Sequence, residues 1–136
     1  MKSIDSIVIH HSASSRDATT LEDIRMWHTD PDKPGGAFED IGYHFCVEAD
    51  GGVRHGRALP RTGAHAPPNS GRIGICIVGD NTVFGEEWKI EQVLAARVLI
   101  DALHQIWPGL PVEGHRDVMA EGHTECPGVD VARLFD

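Results

Sequence analysis

A chain of 136 residues, 40% of them hydrophobic, has the length of one domain and apolar content enough for a core, which excludes disorder and any need for disulfides or a metal merely to fold. Its formal charge of -9 disfavours non-specific nucleic-acid binding, which depends on Lys and Arg displacing counterions from phosphates, and offers no general attraction to anionic membranes.

Ser6 to His10 is short, apolar and β-branched, and predicts a buried strand ending at two adjacent histidines. Thr19 or Thr20 then caps a helix from Leu21 to His28, with Glu22 and Asp23 suited to its N-terminal dipole. Asp30 to Gly36 is a loop by its turn residues. Ile41 to Glu48 and Val53 to His55 predict two strands joined by a hairpin turn at Ala49-Asp50-Gly51-Gly52. Leu59 to Arg72 is loop-like, and Ile73 to Val78 is the most apolar strand, expected at the centre of the sheet. Ile90 to Ile106 predicts a long helix whose Val93, Ala96, Ile100 and Leu103 step by three and four, with Trp107 continuing that face and Pro108-Gly109 stopping it. Leu110 to Glu113 forms a last short strand, and Val129 to Leu134 a terminal helical turn. The alternation predicts an α/β fold: a single domain, 1–136, with a central mixed sheet flanked by helices.

Three cysteines make an odd count. Cys46 and Cys76 sit in apolar strand-like runs and read as small buried hydrophobes. A disulfide between them requires neighbouring strands and is disfavoured in a chain with no export signal. Met1 to Asp5 leads directly into a strand with no cleavage-site pattern, and no apolar run approaches a membrane span. The expectation is cytosolic synthesis without a leader.

The chemistry lies at the two ends of the chain. His10 closes the first strand, His115 follows the last, and Cys126 lies in a polar, Pro/Gly-flanked loop. Strand ends at one edge of a sheet converge on a common cleft, so ligands far apart in sequence can meet there. Two neutral imidazoles and one thiolate suit a zinc ion with one open coordination position, whose bound water would ionise near pH 7. Ten residues separate His115 from Cys126, which is not a compact zinc motif, and nine histidines make coincidences common.

Ile7-Val8-Ile9-His10-His11-Ser12-Ala13, Ile41-Gly42-Tyr43-His44-Phe45, Gly63-Ala64-His65, Ile73 to Gly79, Gly114-His115-Arg116-Asp117 and Cys126-Pro127-Gly128 occur in the order of one family. The whole chain resembles the zinc-dependent N-acetylmuramoyl-L-alanine amidases of type 2, which include phage T7-type lysozymes and animal peptidoglycan recognition proteins. The resemblance selects His10 over His11 as first metal ligand, and implies His115 and Cys126 as the others, holding one Zn2+ in the cleft at the strand ends. It places the catalytic tyrosine on Tyr43, a donor to the developing oxyanion. Phage members carry a lysine two residues before the cysteine; this chain has Thr124 there, as the recognition-protein branch does, so Thr124 is expected as an additional donor without a lysine's charge.

His65, after Gly63-Ala64 in a cleft-lining loop, is expected to contact substrate. His11 is expected to support the site by hydrogen bonding, and His123 is a rival ligand by type. On a strand His44 would point opposite to Tyr43. His28, His55 and His104 read as solvated. Trp27, Trp88 and Trp107 read as packing residues, with Trp107 in the core.

The resemblance implies hydrolysis of the amide between N-acetylmuramic acid and L-alanine in peptidoglycan; the charge argues against nucleic-acid and membrane partners, and a monomer is expected. With no leader and no wall-binding domain, a phage or prophage endolysin is expected, acting on the wall once the membrane is permeabilised. A cytosolic wall-recycling amidase and a non-catalytic peptidoglycan-binding module are the alternatives. Family members that lose the cysteine bind without cutting, so Cys126 argues against the module.

Overall fold

The computed structural model describes residues 1 and 3–135. Five strands form one mixed sheet: β1 (Ser6–His11), β2 (Phe45–Val47), β3 (Val53–His55), β4 (Arg72–Ile77) and β5 (Val112–Gly114), in the order β3-β2-β4-β1-β5. β1, β2, β4 and β5 run parallel, and β3 is the antiparallel edge. The α/β fold expected from the sequence is therefore present, with β4 at its centre.

Alternation along the strands divides the sheet into two faces. Ile7, Ile9, Val47, Ile73, Ile75 and Ile77 meet Ala96, Ile100 and Leu103 of α2 (Ile90–Ile106) and Val131 of α3 (Val131–Phe135) in one aliphatic core. Cys46 and Cys76 face the other way, toward Leu21 and Ile24 of α1 (Leu21–Thr29), with Ile41, Val78 and Tyr43. Cys46 and Cys76 are paired neighbours on β2 and β4, buried as free thiols.

Local chemistry explains α1. The Thr20 hydroxyl accepts from the Asp23 N–H while the Asp23 carboxylate accepts from the Thr20 N–H, a reciprocal cap that selects Thr20 over Thr19. The main departure from the sequence reading is β2, which starts at Phe45 rather than Ile41. Gly42 N–H donates to His28 Nδ1 and Gly42 O accepts from Ala64 N–H, so these groups serve loops instead of a ladder. The predicted strand from Leu110 starts only at Val112, and the terminal helix only at Val131. Among the described residues no helix is long and apolar enough to cross a membrane.

Candidate metal centre

Parallel pairing carries the ends of β1 and β5 to the same edge of the sheet. Ile9 is opposite Gly114, so the next residues, His10 and His115, emerge side by side with ring centroids 4.6 Å apart. A 3₁₀ turn at His115–Asp117 follows β5, closed by the Asp117 carboxylate on the Gly114 N–H at 2.9 Å. Arg116 N–H then donates to the Cys126 carbonyl at 2.7 Å, which ties the distant cysteine loop to the histidine turn.

The result is a group of three potential ligands, His10, His115 and Cys126, whose donor atoms lie within 4.8 Å of one another. Among the described residues it is the one such group of three or more His, Cys, Asp or Glu side chains. Cys126 Sγ is 3.7 Å from His10 Nδ1. Tetrahedral zinc with ordinary Zn–N and Zn–S bonds would hold such a pair about 3.5 Å apart, so the donor set fits this metal in both type and spacing. His123 is exposed and lies outside the group.

Electrostatics prepares these ligands unequally. Burial pushes His10 well below its ordinary value, helped by the neighbouring imidazoles of His65 and His115. Burial lowers His115 as well, and takes His65 down to about 3. His10 and His115 are thus held in the neutral form that an imidazole needs to bind a metal. Burial instead pushes the Cys126 thiol up to about 12, opposed by a hydrogen bond from the His11 N–H to Sγ at 3.4 Å. That thiol holds its proton until a cation displaces it.

Tyr43 packs on His10 at 4.9 Å between ring centroids and on His28 at 5.4 Å. Burial raises its phenol well above the ordinary range, so it stays a donor. Thr124 Oγ1 accepts the Cys126 N–H at 3.2 Å, which leaves its own hydrogen free. His65 lies behind His10, with Nδ1 2.9 Å from His10 Nε2 and Nε2 3.1 Å from the Arg72 carbonyl. Both of its ring nitrogens are engaged within the protein. The His11 ring turns away from the group, its Nδ1 accepting from the Asn81 N–H at 3.2 Å.

Other histidines differ from the sequence reading. His28, expected to be solvated, is half-buried; it accepts from Gly42 N–H at 2.9 Å and is pushed down to about 4 by burial. His104 is half-buried on the Leu110 carbonyl, whereas His55 is exposed as expected. Because Tyr43 and His44 precede β2, strand alternation does not separate them: their rings lie 6.3 and 5.9 Å from that of His65. Trp107 and Trp88 pack against the α2 core, and Trp27 is largely exposed.

Arg57 escaped the sequence reading because only the fold gives it partners. It is buried, and its guanidinium donates to the carbonyls of Ile41, Thr62 and Asp40 at 2.7–3.0 Å. Its own N–H donates to the Tyr43 carbonyl, so one residue fixes the irregular segment that carries the tyrosine. A cavity of about 550 Å³ between α2 and α3, lined by Arg97, Asp101, His104 and Phe135 among others, includes none of the residues of the metal group.

Residues 1–129 match the family model described as N-acetylmuramoyl-L-alanine amidase. The chain is 30% identical to the endolysin of Escherichia phage T7, over 99% of this chain and 87% of that protein. It is 39% identical to peptidoglycan-recognition protein SC2 of Drosophila melanogaster, over 91% of this chain and 68% of that protein. Among solved structures, the N-acetylmuramoyl-L-alanine amidase LysC from Clostridium intestinale superposes with a TM-score of 0.79 at 28% identity, covering 96% of this chain and 85% of the other.

Proposed function

The chain belongs to the N-acetylmuramoyl-L-alanine amidase family, and from that membership we propose that it is a zinc-dependent hydrolase. Its reaction is hydrolysis of the amide joining the lactyl group of N-acetylmuramic acid to L-alanine in peptidoglycan. The observation that carries this reading is the convergence of two neutral imidazoles and one cysteine from three separate segments. Three protein ligands rather than four is the arrangement that leaves zinc a position for chemistry.

His10, His115 and Cys126 would hold the ion. When bound, zinc supplies Lewis acidity toward the scissile carbonyl and a nucleophile at neutral pH. The remaining work falls to the chain's own groups. The His11 N–H supports the sulfur of Cys126, favouring its thiolate form. Tyr43, protonated and packed at a tilt against His10, is the donor for charge developing on the carbonyl oxygen. Thr124 has a free hydroxyl hydrogen two residues from the cysteine and adds a second, weaker donor.

Residues 1–136 act as one catalytic domain and as a monomer. Similarity to phage endolysins favours a lytic role at the cell wall, reached after membrane permeabilisation. Digestion of purified peptidoglycan is the test: new L-alanine amino termini should appear, vanish with chelator and return with added zinc. Binding to the wall without release of amino termini would instead make the chain a recognition module, as the similarity to peptidoglycan-recognition proteins allows.

A further inference from the structure

Tautomers around His10 follow from the chain of hydrogen bonds behind it. The Arg72 carbonyl can only accept, so His65 Nε2, 3.1 Å away, carries a hydrogen. With its one ring hydrogen on Nε2, His65 keeps a lone pair on Nδ1. Its Nδ1 is then a bare acceptor facing His10 Nε2 at 2.9 Å. His10 must donate from Nε2, which leaves its Nδ1 lone pair free. That is the atom 3.7 Å from Cys126 Sγ.

The surrounding structure is built to keep His65 there. Val8, two residues before His10 on the same face of β1, pairs with Gly74 on β4. A Cβ on Gly74 would come within 2.8–2.9 Å of His65 Cγ, Cδ2 and Nδ1, so the imidazole occupies space that only glycine leaves. Asn69 Oδ1 accepts the backbone N–H groups of both His65 and Ala66 at 2.9 Å, which anchors the loop carrying the ring.

We propose that His65 is a positioning residue, which sets the tautomer and orientation of His10 so that Nδ1 is presented to a metal ion before the ion arrives. This rests on the reading of His10 as a ligand, and it replaces the substrate contact expected for His65. Outer partners of this kind typically change metal affinity by about 10–100-fold when removed.

The experiment uses metal-free protein and two readouts. Heteronuclear NMR of the imidazole nitrogens in the wild type should show His10 protonated at Nε2 and coupled through that hydrogen bond to His65 Nδ1. A His10 ring protonated at Nδ1 would overturn the proposal. Zinc affinity is then measured by competition with a chromophoric chelator. His65→Phe should bind zinc about 10–100-fold more weakly, His65→Gln, which restores an acceptor, should recover most of the loss, and Gly74→Ala should weaken binding in the same direction. Wild-type zinc affinity in His65→Phe, together with lost wall hydrolysis, would overturn the proposal and return His65 to the substrate. Should the wild type bind no zinc, the proposed function fails, while the NMR result still decides the role of His65.

Discussion

Along β1, Ile7 and Ile9 enter the aliphatic core under α2, whereas Val8 and His10 face the side that carries Tyr43 and His65. β4 repeats the division: Ile73, Ile75 and Ile77 pack under α2, and Gly74 and Cys76 face the site. The two faces share a backbone but differ in chemistry. One is closed by aliphatic side chains with aromatic rings packed at their margin; the other holds imidazoles, thiols and a glycine-sized gap. Period-two alternation therefore lets one strand hold the fold together with one set of residues and build a metal group with the next.

Substitutions on each face should separate these roles. Cys126→Ser removes the proposed sulfur ligand, and the largest effect is expected there: loss of stoichiometric zinc and of measurable amidase activity, with an unchanged urea midpoint when both proteins are metal-free. Metal analysis and a wall-digestion assay check it. On the opposite face, Ile75→Ala should destabilise the fold by about 2–5 kcal/mol in urea unfolding while zinc affinity per folded molecule is retained. A matching loss of zinc affinity would show that the faces are not separable. Tyr43→Phe keeps the ring packed on His10 and removes only the hydroxyl. It should lower kcat by about 10²–10³ and leave zinc binding intact, as steady-state kinetics and chelator competition will show.

The histidine face should also reveal itself through pH, with a smaller effect. Burial lowers His28 in the fold from its ordinary 6.5 to about 4, so protonation favours the unfolded chain. Its contribution to stability is complete above pH 6.5, is lost as pH falls from about 6.5 toward 4, and levels off below that. Urea midpoints across this range should fall less steeply in His28→Gln, whose amide oxygen can still accept the Gly42 N–H. An identical slope in both proteins would remove His28 from the acid sensitivity of this face.

Much of the fold was legible because its signals are local. The apolar runs of β1 and β4, the Thr20 cap and the three-four spacing of α2 each lie within one segment. His10, His115 and Cys126 were found by residue type and by resemblance to a family, and parallel register explains why the first two emerge together. The rest depended on distance. Nothing near Ile41 announces that Arg57 will bind its carbonyl, so local pattern alone extends the strand past its true start at Phe45. The ring partners of His65 are not legible in the sequence, because only β1 and β4 bring His10 and Arg72 to it. His28 looked solvated because its acceptor role serves Gly42, fourteen residues away.

The proposed function requires that His10, His115 and Cys126, on the face opposite α2, together bind one zinc ion. X-ray absorption at the zinc edge of the loaded protein tests it most directly. Two nitrogen ligands at about 2.0–2.1 Å and a single sulfur at about 2.3 Å are expected, with the sulfur lost in Cys126→Ser. A shell with no sulfur, or one unchanged by that substitution, would contradict it.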